Sequence, residues 1–146
     1  MSLNTSDTED DILARVKESF PKTVYDVNIP ADDSLEYDSR GTLVPYAIVE
    51  WGDLQRRAGD RGIVSVRQDT YNYYFTVTIV AGRSSDARRL MRAMTDKLTG
   101  YRPVDAGEIV PKASMSFARS SATNRPTQYI YSTTYQCVTN LSWDVV

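Results

Sequence analysis

The sequence predicts an α+β fold, a mainly antiparallel sheet with two amphipathic helices packed on one face. Two segments place apolar residues at helical spacing, and most segments between and after them alternate polar and apolar residues with a period of two. The later connections are short enough for hairpins, which favours antiparallel pairing. The chain has 146 residues, the length of a single domain with one core. We expect residues 1–7 to be flexible.

The two helices are predicted from capping residues and apolar spacing. The first has an N-cap at Thr8 and ends before Pro21, because the residue preceding a proline avoids the helical region. The second is capped by Ser84 or Ser85 and stops at Gly100. Their apolar stripes are Ile12, Leu13, Val16 and Phe20 in the first helix, and Ala87, Leu90, Met91, Met94 and Leu98 in the second. Each stripe is expected to pack against the sheet.

The strands are predicted from alternation and β-branched residues. They lie at Thr23–Ile29, Leu43–Trp51, Gly62–Gln68, Thr70–Gly82, Met115–Ala118 and Gln128–Trp143. The third and fourth of these are either two strands or one long bent strand. In Thr70–Gly82 the odd positions are expected to face the core and the even positions to form a second, partly apolar face. Those even positions are Asn72, Tyr74, Thr76 and Thr78.

Two charged connections are predicted between the strands. Asp53–Arg61 is a glycine-containing connection whose basic residues are Arg56, Arg57 and Arg61. Ala31–Gly41 is an acidic surface loop whose acidic residues are Asp32, Asp33, Glu36 and Asp38. Carboxylate clusters can bind hard cations, but this spacing lacks the glycine and the terminal glutamate of the known calcium loop. We therefore expect a solvated acidic loop and no metal site.

The composition argues against several functions. The sequence has no histidine, so Ser-His or Cys-His catalysis and Cys/His zinc spacings are absent, and neither a phosphate-binding loop nor a hydrolase motif occurs. We expect no enzyme and no cofactor. The net charge of -2 disfavours reading the aromatic strand as a nucleic-acid stacking platform. No apolar run approaches the roughly 20 residues that span a bilayer, and Cys137 is expected to be a small buried hydrophobe in a cytosolic chain.

The remaining explanation is an interaction surface. Ten tyrosines and two tryptophans exceed what two thin helices need to cover, and aromatic residues with arginine are enriched in protein interfaces. The alternatives are that the aromatic residues complete a monomer's core and that the arginines form a solvated helix face. The predicted subunit interface consists of Tyr74, Thr76, Arg88, Arg89 and Arg92.

The sequence resembles the tail terminator, or tail completion, proteins of bacteriophages with long non-contractile tails. The resemblance is carried by the amino-terminal amphipathic helix, by VPYAIVEWG, by YFTVTIVAG followed by SSDARRLMRAMTDKLTGYRP, and by the tyrosine-rich last strand. It implies a hexameric ring that sits on the last ring of the tail-tube protein, stops its polymerisation and presents its other side to head-completion proteins. It also implies a virion protein, assembled in the host cytoplasm, with DNA passing only through the channel and no reaction catalysed.

The resemblance suggests roles for the two charged connections. Arg56, Arg57 and Arg61 would reach an acidic partner ring or line the channel, and the acidic loop would be their complement on a neighbouring subunit. Head-completion and other connector-ring proteins of the same phages are also small, histidine-poor and α+β, so the position of the ring is open. A non-enzymatic α+β binding domain is the alternative from outside phage assembly.

Overall fold

A computed structural model describes residues 6–28, 30–31, 34–56, 71–119 and 127–139. The elements in chain order are α1 (Ser6–Ser19), β1 (Val24–Asp26), β2 (Tyr46–Arg56), β3 (Tyr71–Ala81), α2 (Ser84–Leu98), β4 (Val110–Arg119) and β5 (Gln128–Thr139). The five strands form one sheet in the order β1-β2-β3-β5-β4. β1 pairs with β2 in parallel, and the other pairs are antiparallel. The predicted α+β class and mainly antiparallel sheet are confirmed.

The core lies between the two helices and one face of the sheet, here called the helix face. All five predicted inward positions of β3 are buried: Tyr71, Tyr73, Phe75, Val77 and Ile79. The last four of them pack with residues of both helices in one cluster, and the Phe75 ring stacks on Tyr135 with centroids 5.3 Å apart. Burying such a side chain contributes about 1.5–3 kcal/mol. The prediction that both helices cover one face is confirmed.

The amino-terminal helix is fixed to the connection between α2 and β4. The helix begins at Ser6, so the predicted N-cap at Thr8 is wrong. The Thr8 hydroxyl instead donates to the Val104 carbonyl at 2.7 Å. The Asp11 carboxylate accepts from the Tyr101 hydroxyl at 2.7 Å and from the Val104 N–H at 2.8 Å. A tertiary contact has thus taken the side chain that local sequence assigned to capping.

The start of α2 also differs from the prediction. Arg83 occupies the N-cap position and makes no capping bond with its side chain, so neither Ser84 nor Ser85 is the cap. The Ser84 hydroxyl, already inside the helix, accepts a hydrogen bond from the Arg88 guanidinium at 2.8 Å. At the other end Gly100 has φ of 84°, the left-handed conformation that glycine adopts after a helix. The predicted glycine stop is confirmed.

Two strands have different bounds from those predicted. β1 has three residues, not the seven of Thr23–Ile29, and Val27 follows it at φ of 65°. β2 continues to Arg56, so the predicted connection Asp53–Arg61 begins as strand. A bulge between Trp51 and Leu54 allows this extension, because it bends the strand past the point where the simple alternation ends.

The last two strands form the other side of the sheet. β4 has ten residues, whereas the sequence predicted only Met115–Ala118. β5 follows the predicted alternation over its described length, and Cys137 is buried as expected. β4 was underestimated because every one of its residues is exposed, so it has no apolar period to detect.

The sheet face opposite the helices, here called the open face, is covered only in part. Near β1 and β2, a small cluster of Tyr46, Ile48 and Val80 is covered by Leu35 and Leu43 from the segment before β2. Towards β5 and β4, no helix of the described chain lies over this face. Among the described residues, no helix is long and apolar enough to cross a membrane.

Candidate assembly surface

The most exposed element of the described fold is β4, at the edge of the sheet. One side of its backbone pairs with β5, and the other side has no strand partner among the described residues. Three large apolar side chains on it are open to solvent, with Met115 64%, Phe117 50% and Val110 46% exposed. A long edge strand with exposed apolar side chains is the form of surface on which another chain adds a strand.

The register of β4 assigns its side chains to the two faces. Met115 and Phe117 stand opposite Ser132 and Ile130, which lie on the open face. The alternating residues Ser114 and Ser116 stand opposite Thr133 and Tyr131, on the helix face. The two most exposed apolar side chains of β4 therefore extend the open face rather than the core.

The open face next to β4 is uncharged and rich in hydroxyl groups. Thr76 and Thr134 share a hydrogen bond of 3.0 Å between their hydroxyls, and the hydroxyls of Thr78 and Ser132 are 2.9 Å apart. The predicted interface residues Tyr74 and Thr76 lie here, both half-buried. Within the described part of the chain, neighbouring strands rather than a helix provide this partial burial.

The predicted arginines lie on the other side of the sheet. Arg88, Arg89 and Arg92 are exposed on α2, which packs on the helix face. The Arg89 guanidinium lies 3.6 Å from the Asp86 carboxylate, and Arg92 borders a shallow groove between α2 and β4. The structure thus separates these arginines from Tyr74 and Thr76. β4 is the element that lies at the edge of both surfaces.

The predicted charged connections are described only in part. Arg57, Arg61, Asp32 and Asp33 lie outside the described residues, and Arg56 is the last residue of β2. Glu36 is exposed.

Asp38 has a local structural role. Its Oδ1 accepts hydrogen bonds of 2.9 Å from the backbone N–H groups of Arg40 and Thr42, and Gly41 in the same turn has φ of 77°. These backbone hydrogen bonds, that of Thr42 foremost, hold the pKa of the Asp38 carboxyl below its usual range. The carboxylate therefore builds the turn.

The charges of the chain are separated between its two ends, a feature that sequence reasoning missed. The described residues from 6 to 50, which include α1 and β1, carry nine acidic and four basic side chains. The described residues from 71 onward, which include α2 and β4, carry eight basic and four acidic ones. β4 itself carries two charges, Lys112 and Arg119, both exposed and both positive. A count of charges by segment would have found this asymmetry, whereas its relation to the two edges of the sheet follows only from the strand order.

The titratable groups of the core are held neutral. Burial raises the pKa of the Cys137 thiol to about 11, so it is protonated at neutral pH and is not activated as a nucleophile. Among the described residues no group of three or more acidic, cysteine or histidine side chains could hold a metal ion. The chemistry that this surface offers is backbone pairing, apolar contact and charge attraction.

Compared with known proteins, the chain matches no family model and no curated protein. The resemblance to tail terminators stays a prediction.

Proposed function

We propose that this chain is a structural virion protein that forms a hexameric ring on the end of a phage tail tube. The ring stops polymerisation of the tail-tube protein and provides the joining surface for the head-completion or connector protein. DNA only passes through its channel, and the protein catalyses no reaction. The proposal joins the sequence resemblance to one structural observation.

That observation is the open edge of β4. Monomeric proteins protect sheet edges by making them short, bulged, proline-bearing or densely charged. β4 is ten residues long, and between Lys112 and Arg119 it carries six uncharged residues. Its one proline, Pro111, and its one irregularity of register, between Pro111 and Ala113, both lie at the start. A subunit that must associate with its neighbours needs such an edge, whereas a monomeric binding domain gains nothing from it.

The apolar residues of this edge favour assembly over solvation. The Met115 side chain is 64% exposed and the Phe117 side chain is 50% exposed. Aromatic and methionine side chains are enriched at protein interfaces. Covering both in a subunit contact would contribute a few kcal/mol per contact, at about 1.5–3 kcal/mol for each side chain fully buried. A closed ring repeats that contribution at every contact.

The test is capping of tail tubes. Tubes of the tail-tube protein from the same phage are incubated with the wild-type chain and imaged by electron microscopy. We expect a ring of extra density at one tube end and no further growth when tube protein is added. The Met115→Glu/Phe117→Glu variant should not cap, because two carboxylates would have to be buried in the contact.

The matched control is Met115→Leu/Phe117→Leu, which keeps the surface apolar and should cap. Both variants change exposed side chains, so their free energies of unfolding should stay within about 0.5 kcal/mol of the wild type. Wild-type protein that leaves tube ends bare and growing contradicts the proposal. Binding to the head connector instead of the tube would show that the protein forms the connector ring.

A further inference from the structure

We infer that the subunits join head to tail, with β4 of one copy adding as an antiparallel strand to the open segment of β2 in the next copy. The open segment is residues 50–56. The positive charges of β4 then approach the acidic end of the neighbouring subunit. This inference rests on the proposed ring and specifies the contact that closes it.

The strand directions make this pairing possible. β2 is antiparallel to β3, β3 to β5, and β5 to β4, so β4 runs antiparallel to β2 of its own chain. A rotation about an axis parallel to the strands preserves these directions. It therefore places β4 of one copy antiparallel to β2 of the next, the arrangement of an ordinary antiparallel ladder.

The outer edge of β2 is covered over only part of its length. β1 pairs with Ala47, Ile48 and Val49, and the Val27 N–H donates to the Val49 carbonyl. Beyond Val49, the open segment has no strand partner on that side among the described residues. Its seven residues can receive most of the ten-residue β4.

The acidic charges flank this open segment. The Tyr73 hydroxyl donates to the Glu9 carboxylate at 2.7 Å, and Tyr73 stands opposite Leu54, so the first turn of α1 lies over the helix face of β3, one strand from the open segment. Exposed Asp10 is in that turn, and exposed Glu50 is the first residue of the segment. Of the two basic residues of the incoming β4, the one at the Glu50 end of the segment would meet carboxylates, and such opposite-charge contacts select the partner surface.

Pairing of β4 with a second β4 is disfavoured by the same charges. Both charged residues of the strand are positive. In an antiparallel pair centred between Met115 and Ser116, Lys112 of each copy stands opposite Arg119 of the other, and like charges directly opposite are destabilising. The symmetric dimer is thereby disfavoured relative to a contact between two different patches, which closes into a ring or continues as a fibre.

The test reverses the charges at each end and measures the assembled mass by analytical ultracentrifugation over a concentration series. Lys112→Glu/Arg119→Glu makes both ends acidic, and Asp10→Lys/Glu50→Lys makes both basic. Each should weaken association roughly tenfold or more, about 1.4 kcal/mol per contact. The chain with all four substitutions should assemble like the wild type, because the attraction is restored with opposite sign.

Mixing the two double variants gives the sharpest outcome. Each variant then finds a complementary neighbour only in the other, so the copies must alternate around the ring. The mixture should restore the wild-type mass if the ring has an even number of subunits, as in a hexamer. Lys17→Glu/Lys22→Glu is the control, because it makes the same change in net charge at the end that is already acidic and should leave assembly intact.

The outcomes separate this inference from the proposed function. Full assembly of Lys112→Glu/Arg119→Glu, or failure of the fourfold variant to recover, overturns the inference even if the wild type caps tubes. Rings with the expected rescue that fail to cap tubes overturn the proposed function and leave the inference standing. A wild-type chain that is monomeric both alone and with tubes overturns the inference.

Discussion

Several hydroxyl and thiol groups are enclosed on the helix face of the sheet, and each is held in its neutral form. The Tyr135 hydroxyl shares a 2.8 Å hydrogen bond with the Thr95 hydroxyl, and burial raises its pKa above the usual range. The Tyr73 hydroxyl reaches the Glu9 carboxylate, and burial together with that carboxylate raises its pKa. Cys137 lies beside Tyr73 in the register of β3 and β5. The core is thus built to be uncharged and is sensitive to alkali.

Cys137 gives this sensitivity a defined pH range. Its pKa is raised from 9.0 to about 11 in the folded state, so the protonated thiol stabilises the fold fully below pH 9. That contribution is lost as the pH rises from 9 to about 11, because the unfolded chain releases the proton first. We expect a loss of about 2–3 kcal/mol from this group. Urea unfolding at a series of pH values measures it.

The comparison for this prediction is Cys137→Ala. Removing the sulfur from a buried site should lower stability by about 1 kcal/mol at neutral pH, but the decline between pH 9 and 11 should become shallower. Part of the decline persists, because the buried tyrosines also resist ionisation. Equal slopes for the two proteins would show that the thiol is not the titrating group.

At the scale of the elements, the bulge in β2 decides how far that strand extends. Gly52 and Asp53 both stand opposite Tyr74, so the ladder gains one residue on the β2 side. A Cβ added to Gly52 would lie 2.6 Å from the Tyr74 carbonyl oxygen, inside van der Waals contact with backbone that is itself held in the ladder. Glycine is therefore required at this point of the bulge.

The substitution Gly52→Ala tests this requirement. The clash should displace the β2–β3 ladder and lower the free energy of unfolding by roughly 1–3 kcal/mol. Gly107→Ala is the matched control, since its Cβ would lie no closer than 3.5 Å to any neighbour, and its effect should be small. Chemical denaturation of both variants measures the difference. Similar stabilities would contradict the clash.

The elements that the sequence predicted best are those with one buried face. β3 and α2 carry uninterrupted periods of two and of three to four, and the structure buries the predicted positions. β4 is exposed on both faces, so its sequence does not need the alternation of polar and apolar residues that a half-buried strand shows. Thr8 and Ser84 were assigned as caps because nothing local shows that Val104 and Arg88 bind their hydroxyls. Contacts from elsewhere in the chain overrode the local rule.

At the scale of the whole molecule, the separation of charge has a measurable consequence. An assembly whose subunits meet through opposite charges should weaken as salt screens them, since the screening length falls from about 10 Å at 0.1 M to about 3 Å at 1 M ionic strength. We expect the concentration at half-assembly to rise steadily with sodium chloride. Sedimentation at several salt concentrations measures this.

The fourfold charge-reversed chain serves as the control for the salt effect. Its ends also attract each other, so its salt dependence should match that of the wild type. The contribution of Met115 and Phe117 comes from apolar burial and should persist at high salt. Assembly that strengthens uniformly with salt would indicate a purely apolar contact.

The candidate surface was less predictable than the fold. The sequence identified Tyr74 and Thr76 on one strand face and Arg88 on one helix face, and it predicted both to be exposed to a partner. It could not show that the sheet separates them, because that depends on which face α2 covers. The separation of charge was missed for a similar reason, since it requires knowing that β1 and β4 are opposite edges.

The anchoring of α1 has a mechanical consequence. Thr8 and Asp11 hold Val104 and Tyr101 in the connection that leads into β4, and Arg15 donates to the Lys97 carbonyl at the end of α2. A force that pulls β4 outward is therefore carried into α1 along these bonds and does not stretch the connection alone. In a closed ring under tension, load entering one subunit at β4 would leave it near the opposite edge of the sheet, so the subunit would act as a stiff link.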